Sequence, residues 1–452
     1  MTVLLGVFAA FLAVAVGGLL VPADRRRGVA LVVAFALLTA AGSLTVPTDV
    51  RGAAVSVAAG VTAAALLSPR DWPVERARAS TWTLAWFAWA VGCVVAIAPS
   101  TIVFMAQLAV VGLTLSWAVA TSSRADVRVF LRGLVGIGVA QVVLGVVELT
   151  VTHRPVPWGH KVLATGRSFV SDNKVLPGDL MRVEGSVGHP IPYAVLLAVC
   201  LVVVVVAERG VFSSAARWAV VPVLSTGILL SGSRSVLTAV LLALGYVVLT
   251  TDLRHRAVKI VSSVSVVVVA GALLASEVVS AVAVLVASGS YENRVGALRA
   301  VPGLVTRPPT ESLVGSGFGS EPELYARGLL PQEGFTVVDN QLVTTLATFG
   351  LIGLVLVVGV FVVGLTRTSR TGTAVTIVMA TVLFSFDYLV WFSMSGLAFA
   401  FCALARTDGA RSDDVRPHGA RSDDVGHDGV RPDRVESSTL SRRRGRGSGS
   451  PA

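Results

Sequence analysis

Charged residues are scarce in this sequence: Asp, Glu, Lys and Arg together make up 14% of its 452 residues, whereas 54% are hydrophobic. A soluble protein of this composition would expose more apolar surface than it could bury, which excludes a soluble globular fold. Cysteine is also rare, and Cys93, Cys200 and Cys402 all lie within apolar stretches. They indicate neither a disulfide framework nor a metal cluster.

Lysine is almost absent, so arginine carries most of the net charge of +10. No basic stripe with interleaved aromatic residues is present, which argues against nucleic acid as a partner. The basic residues lie in loops where they can face anionic lipid headgroups. The sequence also lacks a Walker loop, zinc-ligand spacing and a nucleophile elbow, so it predicts no cofactor and no metal.

Long runs of Val, Leu, Ala and Gly are abundant instead. A hydrocarbon core about 30 Å thick requires about 20 apolar residues in a helix. The runs predict an all-α polytopic membrane protein with about eleven to thirteen transmembrane helices. The predicted segments are 2–21, 28–46, 52–68, 81–98, 101–121, 129–151, 191–207, 217–231, 236–251, 260–287, 341–366, 373–388 and 392–405, of which the last two are the least clearly separated.

The short loops concentrate arginine on one side, which the positive-inside rule assigns to the cytoplasm. This orientation predicts an external N-terminus and a cytoplasmic C-terminus in the plasma or inner membrane. Two long loops, 152–190 and 288–340, then emerge on the extracytoplasmic side, together with the tight break at 231–235. Such loops are commonly functional. After the membrane domain 1–405, hydrophobicity falls and residues 406–452 read as a disordered cytoplasmic tail.

Local patterns in the second loop add two smaller predictions. Tyr291, Val295, Leu298 and Val301 lie at helical spacing and predict a short helix before Pro302. The run Gly315-Ser-Gly-Phe-Gly319 predicts a turn, with a backbone cradle for phosphate as the alternative.

Four short patterns lie at the extracytoplasmic positions in a defined order. They resemble the bacterial O-antigen ligase and O-antigen polymerase family of membrane glycan-assembly enzymes, over roughly 180–363. The patterns are Arg182-Val-Glu-Gly-Ser-Val-Gly-His-Pro190, Ser231-Gly-Ser-Arg-Ser235, Asn293-Arg294 followed by the Gly315 run, and Asp339-Asn340 before a helix that contains Phe349-Gly-Leu-Ile-Gly353.

The resemblance implies a metal-independent transferase or ligase of polysaccharide biosynthesis in the cell envelope. Such an enzyme moves a glycan from an undecaprenyl-pyrophosphate carrier to an acceptor hydroxyl on a glycan or lipid. Its partners are the lipid-linked donor, the acceptor and membrane lipids. Arginine binds phosphate with a planar fork of donors and stays charged. By position, the resemblance assigns pyrophosphate contact to Arg182, Arg234 and Arg294.

Ligases of the family place a histidine near the end of the large loop, where this chain has Asp339 and Asn340. Asp339, Glu184 and His189 are therefore the candidate catalytic bases. Each residue also has a structural interpretation. Asp339 and Asn340 can cap the next helix, and His189 precedes Pro190 at a helix entrance. Arg234 can snorkel to lipid headgroups, as can Glu148 near a helix end.

Ligase and polymerase activity both remain open at this point, and two other classes of function compete with transfer. One is a flippase or exporter of a lipid-linked or amphipathic substrate, which also needs many helices and basic external loops. The other is a noncatalytic scaffold for a glycan-assembly complex.

Overall fold

The structure, a computed structural model, describes nine stretches of the chain. These are residues 21–43, 45–67, 74–160, 170–173, 175–176, 180–208, 210–250, 295–330 and 338–404. The predicted helices 2–21 and 260–287, the pyrophosphate candidate Arg294 and the predicted tail 406–452 lie outside the described residues.

The described chain is helical, and its β structure amounts to one isolated bridge between Asp172 and Met181. Eight helices precede the second loop: α1 Arg26–Ala40, α2 Thr48–Leu66, α3 Val74–Ile97, α4 Ile102–Ala120, α5 Arg124–Val147, α6 Pro190–Val206, α7 Ser214–Ser231 and α8 Arg234–Leu249. Within the loop, residues 295–299 are helical, and three further short helices follow: α9 Val301–Val305, α10 Pro309–Val314 and α11 Glu321–Ala326. Three more follow it: α12 Gln341–Arg367, α13 Arg370–Val382 and α14 Phe392–Cys402.

Six of the described helices are long and apolar enough to cross a membrane: α2, α3, α4, α5, α7 and α12. No more than 50% of any of these windows is buried inside the protein, so much apolar surface remains for lipid. Helices α6, α8 and α14 are also apolar but shorter. A helix satisfies its own backbone hydrogen bonds in hydrocarbon, as membrane insertion requires. The prediction of an all-α polytopic membrane protein is therefore confirmed.

Helix α6 forms the centre of the bundle. Fourteen of its 17 residues are buried, which is the expected pattern for a helix that is hydrophobic on every side. It packs against α5, α7, α8 and α13. Because α6 is central, its first turn lies between the first long loop, which precedes it, and the surrounding helices.

One end of the bundle is organised by Arg27, whose side chain is buried at 1% exposure. Its guanidinium donates to the carbonyl oxygens of Thr121 at 2.6 Å and Ala65 at 3.4 Å, where α4 and α2 end. A cation is favourable at helix C-termini. Asp126 Oδ1 accepts from Gly28 N at 3.0 Å and joins the starts of α1 and α5 at the same end.

The opposite end, called here the loop end, carries both long loops and the break between α7 and α8. Arg182 of the first loop contacts Ser231 and Ser233 of the break. Phe318 of the second loop stacks on Phe104 in the first turn of α4, with ring centroids 5.5 Å apart. The predicted coincidence of the two loops and the break is thus present within the described residues.

Several predicted helix limits are wrong at the loop end. Helix α1 ends at Ala40 instead of continuing to 46, since the chain turns at Gly42 and then enters Pro47. Helix α13 ends at Val382 instead of 388, and a nonhelical connection separates it from α14. That connection is held by Gln341. Its backbone N donates to Leu383 O at 2.8 Å, and its side-chain Oε1 accepts from Leu389 N at 2.7 Å.

Candidate functional site

The first loop is fastened to the break between α7 and α8. Arg182 donates from Nε to Ser231 O at 2.7 Å and from Nη2 to Ser233 Oγ at 3.0 Å. Asn173 donates to the carbonyl oxygens of Leu229 and Leu230 at 2.9 and 3.0 Å. These donors satisfy carbonyl oxygens at the end of α7, which have no partners within the helix. Two pieces of chain about 50 positions apart therefore form one unit.

The next segment, Glu184 to Ser186, is held by side chains of α5 and the turn that follows it. The Glu148 carboxylate accepts from Gly185 N at 2.8 Å and from Glu184 N at 3.2 Å. Gln141 accepts from Ser186 N at 3.1 Å and donates to Ser186 Oγ at 2.7 Å. Glu148 is 0% exposed, so the expectation that it reaches the membrane interface is wrong. Its carboxylate instead satisfies the amides of a loop packed onto the helix.

Glycine is required at two positions of this segment. Gly185 has a φ of +58°, and a Cβ there would lie 2.6 Å from Gln141 Oε1. Gly188 has a φ of +70°, and a Cβ would lie 2.1 Å from Ser43 Oγ. Both conformations favour glycine, and both sites bring the backbone against a neighbouring side chain. The glycines of the first pattern therefore seat the loop against α5 and the end of α1.

Glu184, one of the candidate bases, is buried at 6% exposure beside Arg182. Burial raises the pKa of Glu184 from 4.5 to about 7, and the positive charge of Arg182 opposes part of that shift. A carboxyl with a pKa near 7 can accept or donate a proton at neutral pH.

His189 is the N-cap of α6, where its Nδ1 accepts from Ile191 N at 3.3 Å. Its ring lies 5.0 Å from the ring of Phe386 and 5.6 Å from that of Trp391, measured between centroids. The structural interpretation of His189 as a helix-entrance residue is confirmed. The same contacts join the first loop to the connection between α13 and α14.

Asp339 and Asn340, which precede α12, have different roles in the structure. Asn340 caps α12, with Oδ1 accepting from Leu342 N at 3.0 Å and Val343 N at 3.2 Å. Asp339 precedes the cap and is half-buried. Burial and, to a smaller extent, the charges of Asp339 and Glu321 together raise the pKa of Tyr325 to about 12. Asp339 therefore lies within an acidic part of the loop end.

Asp387, in the connection after α13, belongs to the same acidic group. Burial raises the pKa of Asp387 from 3.8 to about 7, and the charges of Glu321 and Asp339 contribute to that rise. Hydrogen bonds from Thr344 and Gln341 oppose it. The acidic group and the Arg182 unit are linked through Phe386, which contacts His189.

The glycine run at 315–319 packs against Gly350, the glycine in the middle of α12. Gly350 interrupts α12 with φ +67° and ψ −169°, which the sequence-based prediction of one straight helix missed. A Cβ on Gly350 would lie 2.2 Å from Leu313 O, and one on Gly315 would lie 2.3 Å from Thr348 O. The second loop therefore packs directly onto the broken part of α12, backbone against backbone.

The last four carbonyl oxygens of a helical stretch need donors from elsewhere. For residues 346–349 these donors come from three other segments of the chain. They are Arg307 Nη2 to Leu346 O (3.0 Å), Arg307 Nη1 to Ala347 O (3.2 Å), Ser316 N to Ala347 O (3.0 Å), Gly317 N to Thr348 O (3.0 Å) and Trp89 Nε1 to Phe349 O (3.1 Å). Because the Ser316 and Gly317 amides are used here, the phosphate-cradle interpretation of this run is wrong for them.

Arg307 holds this junction together, and no local sequence pattern predicts this role. Besides the two α12 carbonyls, its guanidinium donates to Ser316 Oγ at 2.7 Å and Leu304 O at 2.8 Å. Glu311 lies 3.5 Å away and forms a second pair with Arg327 at 2.7 Å. The hydrogen bonds from Arg327 hold the pKa of Glu311 at about 2, well below its usual 4.5.

All five candidates that the structure describes lie at the loop end. Arg182 lies beside Glu184 and binds the residues just before Arg234, whereas Asp339 lies near Tyr325 and Asp387. Arg294 lies outside the described residues. Among the described residues, no group of three or more His, Cys, Asp or Glu side chains could hold a metal ion. The three cysteines are buried and free.

Comparison with known proteins adds no assignment. No family model matches the chain, and no curated protein matches it.

Proposed function

We propose that this chain is an integral-membrane transferase of surface polysaccharide or cell-wall glycan assembly. It moves a glycan from an undecaprenyl-pyrophosphate carrier to an acceptor hydroxyl, as a ligase or a polymerase. The loop end faces the extracytoplasmic side, with the N-terminus outside and the C-terminus in the cytoplasm. The arginine distribution of the short loops supports this orientation.

The observation that carries the proposal is the start of α8. Arg234 is the first residue of this 16-residue helix and is half-buried. The N-cap Ser233 makes no side-chain capping bond, because its hydroxyl accepts from Arg182 and donates to Pro190 O at 3.4 Å. A helix N-terminus is electropositive and suited to phosphate. The guanidinium of Arg182 lies at Ser233 and Arg234 is the next residue, so two arginines lie at this helix start, which suits a diphosphate.

The proposed chemistry uses groups that the structure holds in fixed positions. The acceptor hydroxyl oxygen forms a bond to the anomeric carbon, and the bond from that carbon to the carrier pyrophosphate breaks. The carrier pyrophosphate leaves with the electron pair, and the hydroxyl proton passes to Glu184. Guanidinium groups stabilise the charge that develops on the leaving pyrophosphate. Arg182 also acts as a positioning residue, since two of its donors hold the break.

Transport is the second candidate, and the break in α12 is the observation that favours it. Transporters commonly bind substrates and ions at discontinuous helices, through backbone carbonyls that are free of helical partners. In this chain, donors from Arg307, Ser316, Gly317 and Trp89 already occupy the carbonyl oxygens of residues 346–349. The break is therefore used for packing the second loop, which favours transfer over transport.

We expect Arg234→Ala and Arg294→Ala each to lower polymer formation by about 10²- to 10³-fold, the usual cost of losing one group that stabilises transition-state charge. Lipid-linked oligosaccharide should accumulate while the protein still inserts. The measurement is the glycan and carrier-lipid profile of a deletion strain that expresses each variant.

Arg128→Ala and Arg299→Ala are the matched controls, because both arginines are exposed and neither belongs to the break at 231–235 or to the segment 182–190. Unchanged polymer in both test variants would refute the transferase assignment. Counterflow of carrier lipid in proteoliposomes, with no change in its glycan, would instead support a flippase. A scaffold would tolerate both arginine substitutions and respond only to deletion of a loop.

We expect the transfer rate to rise with pH through about 7, because Glu184 must be ionised to accept a proton and its pKa is raised to about 7. The same shift means that ionising Glu184 destabilises the folded state as pH rises from about 4.5 to about 7. Activity should therefore increase over the range in which this contribution to stability is lost.

Glu184→Gln should lower the rate by about 10²-fold and flatten this part of the profile. Glu323→Gln is the control, since Glu323 has a side chain 71% exposed in the second loop. A profile that keeps its rise near pH 7 in Glu184→Gln would exclude Glu184 as the base.

A further inference from the structure

A small cleft of about 60 Å³ opens at the loop end between α1, α2 and the start of α14. Its walls are mainly apolar and include Leu38, Val55 and Phe392. Two polar residues, Arg51 and Ser393, also line it. The functional site described above uses neither of them.

Arg51 lies in the first turn of α2 and is half-buried. Its side chain makes no hydrogen bond or ion pair with any residue that the structure describes. Together with Arg234, it is a basic residue of the short loops on the arginine-poor side of the membrane. A guanidinium at the mouth of an apolar cleft presents a planar fork of donors that fits a phosphate group.

Ser393 is an independent indication of a ligand. It is 1% exposed, lines the cleft, and its Oγ has no hydrogen-bond partner among the described residues. A buried hydroxyl is normally paired, and leaving it unpaired costs about 1–3 kcal/mol. The Oγ atom is shielded from solvent, so it donates to a phosphate oxygen in the cleft only when the Ser393 side chain turns toward the cleft.

We infer that this cleft binds the phosphate group of one phosphate-bearing lipid, with the first part of its hydrocarbon chain against Leu38, Val55 and Phe392. Arg51 pairs with the phosphate, and Ser393 donates to one of its oxygens. Trp391 lines the cleft and also lies 5.6 Å from the His189 ring, so the cleft shares a wall with the candidate site. The inference does not rest on the proposed function, which places the donor diphosphate at Arg182 and Arg234 and not in this cleft.

The test is direct binding to the full-length protein in neutral detergent, measured by native mass spectrometry. The probes are undecaprenyl diphosphate, phosphatidylglycerol and inorganic pyrophosphate. We expect Arg51→Ala to weaken lipid binding at least about tenfold, Ser393→Ala to weaken it about fivefold, and Arg51→Lys to retain most of it. Arg128→Ala, which removes an exposed arginine near the Arg27 end, should bind as the unaltered protein does.

Inorganic pyrophosphate should bind far more weakly than either lipid, because it cannot use the apolar walls. Tighter binding of undecaprenyl diphosphate than of phosphatidylglycerol would show that the cleft selects a diphosphate-bearing lipid, and equal binding would show a general phospholipid site. Folded Arg51→Ala and Ser393→Ala proteins that bind both lipids as the unaltered protein does would overturn the inference. Pyrophosphate binding as tight as lipid binding would also overturn it. Because no transfer is measured, failure of the proposed function leaves this result unaffected.

Discussion

Gly350→Ala should destabilise the protein by at least about 3 kcal/mol, and most of the chain should be lost from the monodisperse fraction in detergent. With φ +67° and ψ −169°, Gly350 occupies a backbone region that only glycine adopts readily. The added Cβ would also lie 2.2 Å from Leu313 O and 2.6 Å from Gly315 N. Both are backbone atoms, so no side chain can move aside to make room.

Two control substitutions separate the cost of a positive φ from the cost of the steric clash in Gly350→Ala. Gly328→Ala keeps a positive φ of +70° but meets nothing within 4 Å, so it should cost only about 1–2 kcal/mol. Gly245→Ala lies inside α8 with open space around it and should stabilise by up to about 1 kcal/mol. The measurement is thermal unfolding in detergent. If Gly350→Ala stabilises as Gly245→Ala does, α12 is a continuous helix and the proposed packing of the second loop is wrong.

The helices that could be predicted are those for which one rule is sufficient. An apolar run of about 20 residues must cross the bilayer as a helix, and this rule located α2, α4, α7 and the full extent of α12 to within a few residues. The same rule could not find the break, because a single glycine in an apolar run is compatible with a straight helix. The break is imposed by the residues 313–317 that pack against it, which hydropathy does not encode.

In the candidate site, too, roles set by neighbouring residues could be predicted, whereas roles set by contacts between distant parts of the chain could not. Residues next to each other in the sequence predicted His189 at a helix entrance and Asp339 and Asn340 as the cap of the next helix. In the structure His189 stands at the entrance of α6 and Asn340 is the cap of α12. Glu148 was misinterpreted, because its partners Glu184 and Gly185 lie 36 and 37 positions further along the chain. Arg51 and Ser393 were not recognised as a pair, since their proximity depends on how α2 and α14 pack.

Arg307→Met should destabilise the protein by about 3–5 kcal/mol, the usual cost of removing one partner from a buried charge network. The side chain of Arg307 is 1% exposed in its ion pair with Glu311. Methionine is similar in length and fills the space but donates no hydrogen bond. The carbonyl oxygens of Leu346 and Ala347 would lose guanidinium donors, and Glu311 would keep only its pairing with Arg327 and Ser316.

Arg299→Met is the matched control, since Arg299 is exposed on the same loop and makes no contact with α12 among the described residues. It should change the unfolding temperature little. Arg307→Lys separates charge from geometry: an ammonium keeps the charge, but it cannot reproduce the fork that reaches Leu346 O, Ala347 O and Ser316 Oγ together. We therefore expect Arg307→Lys to be intermediate. Equal stability of Arg307→Met and Arg299→Met would show that the second loop does not depend on this arginine for its attachment to α12.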